Sequence, residues 1–153
     1  MRADASASTN APAREGTVLA FDFGTRKIGV ALGNTLLRSA RALTTIRAES
    51  SDVRFAAIAA LIEEWSPVQL VVGAPVHADG TAHDMTRRAE RFARQLEGRF
   101  GLPVALVDER YTTRVAAAQL ASEGIRGEAR RAVQDEVAAT LILQAWFDEP
   151  HRA

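Results

Sequence analysis

The feature that most constrains this chain is a pair of strand-like runs joined by a short glycine turn, within residues 17–33. The link at residues 24–26 is so short that the two runs predict an antiparallel hairpin. The first run carries one carboxylate, Asp22, directly before its last residue. Aspartate is depleted in strands, and burying its charge is costly unless it is paired or bound to a cation. Asp22 therefore indicates a metal or phosphate site, or else an Asx turn in which it caps its own backbone.

The composition is that of an ordinary globular domain. The 153 residues are 47% hydrophobic and 25% charged, and no apolar run approaches the ~20 residues of a membrane helix. The chain has no cysteine, which excludes disulfides and thiolate metal sites. Its formal net charge is zero, so a polyanion must be bound by local patches. We expect a cytoplasmic protein with no membrane partner, either a monomer or a weak homodimer.

The remaining chain alternates helical and strand-like patterns. After the hairpin, the patterns predict a third strand near 42–47, strands over 69–73 and 104–107, and helices over 52–65, 85–100, 112–123 and 132–147. For the first helix, Ser51 or Asp52 is the expected cap, and Pro67 ends it. The last two strands are each expected to be short and buried.

This order predicts an α/β fold built on a mixed five-stranded sheet. The first three strands are antiparallel, the later strands run parallel to the first, and helices cover both faces. We expect one domain over residues 16–148, a disordered tail over 1–15 and a short tail over 149–153.

Two more acids are expected at the same end of the sheet as Asp22. Glu109 follows the last strand, and open α/β sheets bind ligands at the C-terminal ends of their strands. Asp108 competes for this role, although strand alternation points the two side chains to opposite faces. Asp135 lies on the apolar stripe of the last helix. An interaction with the N-terminal dipole of that helix is the alternative, since the predicted helix begins near Ala132.

Three carboxylates without histidine or cysteine form an oxygen ligand set that suits Mg²⁺ or Mn²⁺. The cation relieves the repulsion among Asp22, Glu109 and Asp135. Two such ions about 4 Å apart can activate a water and stabilise the leaving oxygen of a phosphodiester. The pattern predicts a nuclease in which Asp22 bridges the two ions.

Basic and small residues near these acids are candidates for binding nucleic acid. Gly24 lacks a side chain and so lets a phosphate backbone approach closely, and Thr113 either contacts substrate or caps a helix. The predicted binding residues are Gly24, Thr25, Arg26, Lys27, Arg110, Thr113, Arg126, Arg130 and Arg131.

The helix over 85–100 carries four arginines on its non-apolar side, which are Arg87, Arg88, Arg91 and Arg94. They form either a phosphate-binding face or a solvated face with Arg–Glu pairs at helical spacing. The sequence leaves both interpretations open.

The assembled motifs resemble the bacterial Holliday-junction-resolvase-like family, also described as pre-16S ribosomal RNA nucleases (YqgF/RuvX-like), of the RNase H-like superfamily. The resemblance covers nearly all of residues 16–148. It rests on the order and spacing of segments 21–25, 28–31, 72–75, 79–81, 91–93, 108–113 and 135–139.

The resemblance implies an RNase H-like fold, an acidic triad of Asp22, Glu109 and Asp135, and a divalent metal cofactor. It also implies endonuclease activity on structured RNA, the precursor of 16S ribosomal RNA, with branched DNA as a second possible substrate. Two positions depart from the family. Val133 stands where the family usually has Lys, which puts one phosphate contact in doubt, and Ala74 stands where it usually has Leu.

Two other functions remain open. The Asp-x-Gly-Thr motif at Asp22 also resembles the phosphate loop of actin-like ATPases and sugar kinases, but those proteins need two lobes and this chain has one such motif. A non-catalytic RNA-binding module of the same fold is the other alternative, and the intact triad argues against it.

Overall fold

The computed structural model describes residues 15–75, 84–108 and 127–149, with side chains from residue 137 onward in the last range. The elements in these residues are β1 (Thr17–Phe23), β2 (Lys27–Asn34), β3 (Ser39–Arg47), α1 (Ser51–Trp65), β4 (Gln69–Ala74), α2 (Asp84–Phe100), β5 (Val104–Asp108) and α3 (Gly127–Asp148). None of the helices in this part of the chain combines the length and the apolar character needed to cross a membrane. The predicted tail at 1–15 and the predicted helix at 112–123 lie outside the described residues, apart from Glu15.

The five strands form one sheet in the order β3-β2-β1-β4-β5. β1 pairs antiparallel with β2, and β2 pairs antiparallel with β3. β1 and β4 are parallel, as are β4 and β5. The predicted mixed five-stranded sheet is therefore confirmed, and β1 is its central strand.

Two hydrophobic cores lie on the two faces of this sheet, and alternation along β1 divides its side chains between them. Leu19 and Phe21 pack with α1 and α2 on one face. Val18 and Ala20 pack with α3 on the other. The prediction that helices cover both faces is confirmed, and both layers bury β1.

The turn between β2 and β3 is tighter than the sequence indicated. The Asn34 side chain accepts hydrogen bonds from the backbone N–H of Leu36 at 2.7 Å and of Leu37 at 3.3 Å. Arg38 completes the turn with a positive φ of 54°. Because the chain reverses so quickly, β3 begins at Ser39, three residues before the predicted start.

Helix α1 begins one residue earlier than expected and ends as predicted. Its N-cap is Ser50, whose side chain accepts from the backbone N–H of Val53, so the prediction of Ser51 or Asp52 as the cap was wrong. Ser66 ends the helix in a left-handed conformation and donates its backbone N–H to Ile62. Pro67 follows and prevents continuation.

The two later strands differ in burial, although both read as short apolar runs. β4 is buried throughout, as predicted. β5 is an edge strand on which Leu106 is 46% exposed, so the prediction of a buried strand was wrong there. An apolar run in a sequence does not reveal whether the strand has one neighbour or two.

Helix α3 begins at Gly127, five residues before the predicted start near Ala132. The residues that follow Gly127 are good helix formers (Glu128, Ala129, Arg130 and Arg131), which accounts for the longer helix. Residue 135 is consequently the ninth of the helix rather than part of its first turn. The helix dipole acts mainly within the first turn, so the alternative explanation for Asp135 loses its basis.

Close packing between α3 and β2 depends on Gly33. A Cβ atom at this position would lie 2.8 Å from the Ser39 carbonyl oxygen, 2.8 Å from Cε2 of Phe147 and 2.9 Å from Cδ2 of Leu143. These contacts are closer than a real side chain tolerates, and one of them is to backbone. The glycine lets the C-terminal end of α3 rest directly on the sheet.

We predict that Gly33→Ala lowers the free energy of unfolding by about 1–3 kcal/mol, because the added methyl overpacks this contact. Urea denaturation monitored by circular dichroism measures the change. Gly98→Ala is the matched control, since Gly98 has open space around it and lies on an exposed part of α2. We expect this control to raise stability by about 0.5–1 kcal/mol through helix propensity. A Gly33→Ala protein as stable as the parent contradicts the packing argument.

Candidate functional site

Asp22 lies near the C-terminal end of the central strand, opposite Gly29 of β2. It is half-buried. Alternation along β1 assigns it to the face of Val18 and Ala20, which is the face that α3 covers. The carboxylate thus belongs to the α3 side of the sheet, whereas its neighbours Phe21 and Phe23 belong to the other side.

An aromatic cluster holds the end of β1 from that other side. The ring of Phe92 in α2 contacts Phe23 at 5.0 Å, Phe55 at 5.9 Å and Phe21 at 6.0 Å between centroids. Aromatic pairs at these distances stabilise beyond the area they bury. The cluster therefore holds the end of β1 on the face that α1 and α2 cover, and Asp22 lies on the opposite face.

The turn at residues 24–26 follows Asp22 directly. A Cβ atom on Gly24 would lie 2.7 Å from the carbonyl oxygen of Lys27, so the turn itself excludes any other residue there. This is a reason for the glycine that is independent of a ligand, and the approach of a phosphate to Gly24 stays a prediction. Thr25 and Arg26 are exposed, and Lys27 opens β2 half-buried.

Arg26 has an acidic neighbour at the edge of this turn. Its Nε atom lies 4.0 Å from Oε2 of Glu49, and both side chains are about three-quarters exposed or more. Exposed pairs of this kind contribute little to stability. The pair leaves Arg26 accessible at the rim of the site.

Arg54 is a residue of this site that the sequence prediction missed. The side chain is only 6% exposed, and it reaches from α1 to the turn after Asp22. Its Nε donates to the carbonyl of Ala48 at 2.6 Å, and its Nη2 donates to the carbonyl of Gly24 at 2.5 Å. The guanidinium also lies 5.4 Å from the centroid of the Phe23 ring. Arg54 therefore ties the first helix to the turn that follows Asp22.

A signal for this residue was present in the sequence. Arg54 precedes Ile58 by four residues and Leu61 by seven, which places it on the apolar stripe of α1. No role was predicted for it. An arginine on an apolar stripe is better interpreted as a buried group that must have partners in the fold.

The charge of Arg54 is bound without a carboxylate at ion-pair distance in the described residues. Burial lowers the pKa of Arg54 from its ordinary value, and the charge of Glu49 opposes that shift. Arginine remains protonated at neutral pH in spite of such a shift. Carbonyl oxygens and an aromatic face thus hold a buried cation next to the strand that carries Asp22.

The other predicted acids are described less fully. Glu109 lies outside the described residues, directly after β5, and of Asp135 only the helix position is described. Asp108 is exposed and pairs in register with Ala74. Val107 packs with the α3 core, so alternation directs Asp108 to the opposite face from Asp22.

Of the predicted nucleic-acid-binding residues, too, the structure describes only some. Arg130 and Arg131 belong to the first two turns of α3, so the predicted helix start near Ala132, which left both residues outside the helix, was wrong. Arg110, Thr113 and Arg126 lie outside the described residues. The structure thus brings together Asp22 and the turn residues Gly24, Thr25, Arg26 and Lys27.

No cluster of three acidic or histidine side chains occurs within the described part of the chain, which contains the side chain of only one triad member. The chemistry of that donor is nonetheless suitable for a divalent metal. Asp22 offers hard carboxylate oxygens near the C-terminal end of the central strand. Mg²⁺ and Mn²⁺ prefer such ligands. Asp22 by itself supplies one ligand of the kind that a hard divalent cation takes.

The family model described as "RuvX: Holliday junction resolvase" matches residues 16–149. This chain belongs to that family. Two curated relatives bear the name "Putative pre-16S rRNA nuclease". The protein from Dechloromonas aromatica is 57% identical over 136 residues, which cover 89% of this chain and 93% of the relative. The protein from Nitrosomonas europaea is 57% identical over 141 residues, covering 92% and 95%.

Among solved structures, the chain is similar to Thermus RuvC, described as "T. thermophilus RuvC in complex with Holliday junction substrate". The TM-score is 0.53 at 15% sequence identity, and the match covers 86% of this chain and 94% of the RuvC chain. Together with the strand order, this likeness confirms the predicted RNase H-like fold.

We predict that Arg54→Lys destabilises the protein by about 1.5–3 kcal/mol, the usual worth of a hydrogen bond to a charged group. A lysine ammonium lacks the planar fork that reaches the two carbonyls of Ala48 and Gly24 together. Amide hydrogen exchange should also accelerate at residues 24–27, which NMR measures residue by residue. Arg47→Lys is the control, because Arg47 is an exposed arginine of β3. Unchanged exchange in the turn would show that Arg54 does not hold it.

Proposed function

We propose that this protein is a metal-dependent endonuclease that hydrolyses phosphodiester bonds in the precursor of 16S ribosomal RNA. The observation that carries the proposal is the position of Asp22, half-buried at the end of the central strand and on the face that α3 covers. Membership of the RuvX family and the names of its curated relatives support this choice of substrate. Such a role places the protein in the cytoplasm.

The packing of α3 supports Asp135 as a partner of Asp22. Gly33 contacts Leu143 of the helix and pairs with Val18 of β1, so the C-terminal part of α3 covers the start of that strand. Eight residues back along the helix, from Leu143 to position 135, is about 12 Å. Four residues along β1, from Val18 to Asp22, is about 13 Å. A helix that follows the strand in the reverse direction therefore carries position 135 to the level of Asp22.

The register of the sheet supports Glu109 rather than Asp108 as the third acid. Phe21 is level with Val72, and Val72 is level with Leu106, so β5 ends at the same edge as β1. Val107 packs on the α3 face, and alternation continued to position 109 returns to that face. Two strand spacings separate β1 from β5, about 10 Å, a span that carboxylate side chains shorten from both ends.

The proposed role of each of the three carboxylates follows from its position. Asp22 is central, with β5 on one side and α3 above, and would be the central ligand of a bound divalent cation. Glu109 and Asp135 complete the ligand set from either side. Mg²⁺ or Mn²⁺ held there would polarise the phosphate and activate a water for in-line attack.

The turn after Asp22 and the basic residues near the acids are proposed to bind the nucleic-acid backbone. Gly24, Thr25, Arg26 and Lys27 lie at the same sheet edge as Asp22. Arg110, Thr113, Arg126, Arg130 and Arg131 are assigned to the same surface from their sequence positions. Val133 stands where the family usually has lysine. Arg130 and Arg131, three and two residues away on the same helix, are the proposed substitutes.

Branched DNA is the second candidate substrate. The family description names a Holliday junction resolvase, and the RuvC structure is described with a Holliday junction. A shared fold at 15% identity does not decide between RNA and DNA. A non-catalytic RNA-binding role is the third outcome, and it requires that no cleavage occurs with either metal.

We predict that the purified protein cleaves a precursor 16S RNA transcript in the presence of Mg²⁺ or Mn²⁺ and that Asp22→Asn lowers the rate by more than about a hundredfold. Loss of an outer-shell partner of a metal costs 10–100-fold, and a direct ligand should cost more. Gel analysis of end-labelled transcript measures cleavage, with a four-way DNA junction assayed in parallel. Circular dichroism checks that Asp22→Asn is folded. Equal cleavage by the folded variant would refute the metal-site proposal.

Adjacent acids allow a sharper comparison. We predict that Glu109→Gln abolishes cleavage to the same degree as Asp22→Asn, whereas Asp108→Asn retains the rate of the parent within a few-fold. The two substitutions remove the same charge at neighbouring positions that alternation directs to opposite faces. The reverse pattern would show that the strand continues differently past Asp108.

Metal binding can be tested without cleavage. We predict that MnCl₂ raises the melting temperature of the parent and that Asp22→Asn abolishes most of this rise. A ligand at 100 times its dissociation constant stabilises by about 2.7 kcal/mol, which differential scanning calorimetry resolves. Asp52→Asn is the control, since Asp52 is an exposed acid at the start of α1. An equal rise in all three proteins would place the bound metal elsewhere.

A further inference from the structure

A cleft lies at the same end of β1 as Asp22 but on the opposite face of the sheet, between α1 and α2. Its volume is about 430 Å³. It is lined by the rings of Phe23, Phe55 and Phe92 and by five polar side chains, which are Ser51, Arg54, Arg88, Arg91 and Gln95. Phe23 follows Asp22 directly in the strand, so the cleft and the carboxylate flank one strand end.

The lining of this cleft is strongly cationic although the chain has zero formal net charge. Among the residues that the structure describes, the lining contains three guanidinium groups and no carboxylate. Arg88 has an ion-pair partner within its own helix, Asp84, at 3.0 Å. For Arg54 and Arg91, no carboxylate oxygen lies within 4.0 Å in the described part of the chain. The positive charge is therefore local and mostly uncompensated.

Arg54 is the least accessible of the three cations. Two of its nitrogens donate to the carbonyls of Ala48 and Gly24, and Nη1 donates to no residue that the structure describes. A buried charge is costly unless an opposite charge compensates it. An anion in the cleft would supply that charge, and the planar forks of arginine match the oxygens of a phosphate.

The cleft separates the arginines that the sequence placed on the non-apolar side of α2. Arg88 and Arg91 line the cleft with Gln95, and the spacing of three and four residues places these side chains on one side of the helix. Arg94 is exposed and is absent from the lining. The phosphate-binding interpretation thus applies to two of these arginines and leaves Arg94 in solvent.

We propose that this cleft binds a backbone phosphate of the RNA substrate at a point away from the cleaved bond. The nature of the ligand rests on the proposed function. A strand that crosses the turn at Gly24 would contact the carboxylate side of β1 and the arginine cleft on the other side. Arg54 connects the two places, because the same guanidinium that lines the cleft donates to Gly24.

The test measures binding without catalysis. Fluorescence anisotropy with a labelled hairpin from the 16S precursor, in EDTA and at several salt concentrations, yields an affinity and a salt slope for each variant. Arg91→Gln and Arg88→Gln should each weaken binding and reduce the slope of log K against log salt by about one. Their combination should reduce it by about two. Arg94→Gln is the matched control on the same helix, and its slope should equal that of the parent.

The outcomes separate this proposal from the proposed function. If Arg94→Gln reduces the slope as much as Arg91→Gln, or if neither does, the cleft proposal is overturned. A cleft that binds inorganic phosphate as tightly as the hairpin is a small-anion site, which also overturns it. If the parent fails to cleave RNA but the slopes change as expected, the cleft stands and the nuclease proposal fails. If the parent cleaves and the slopes do not change, only the cleft proposal fails.

Discussion

The structure depends on a central strand that is buried from both sides. Helices α1 and α2 cover one face of β1, and α3 covers the other. Asp22 is placed near the end of that strand, where the two layers stop and water is close. A carboxylate in the middle of β1 would carry the full cost of desolvation, whereas one at the end is half-buried and able to bind a cation. Asp22 is thus only half-buried because the hydrophobic cores on the two faces of the sheet end near it.

Two unrelated contacts position the elements that surround β1. Gly33, opposite Val18 at the start of that strand, lets the C-terminal end of α3 rest on the sheet. On the other face, Arg54 connects α1 to the turn at Gly24 and lies over Phe23. The same arginine lines the cationic cleft, so the support of the turn and the proposed phosphate site share one side chain.

Much of this fold could be predicted from the sequence because its signals are local. The hairpin follows from strand-like runs around a three-residue link, and the covered faces follow from helical stripes and alternating apolar residues. Errors arose where a local pattern has two tertiary outcomes. The apolar run of β5 lies at an edge, and α3 extends back to Gly127 over residues whose helix propensity was underestimated. For the site, Arg54 was missed because its charge was given more weight than its spacing.

By itself, the sequence determined the mixed sheet, the order of the described elements and the family to which the motifs point, and it predicted the three acids. These features depend on the type and periodicity of residues that are close together in the sequence. Only the tertiary structure decided that β5 is an edge strand, that Arg54 is buried against Gly24, and that Arg88 and Arg91 share a cleft from which Arg94 is absent. These features depend on which surfaces meet across distant parts of the chain. The packing of α1 and α2 around Phe92, rather than any local pattern, brings them together.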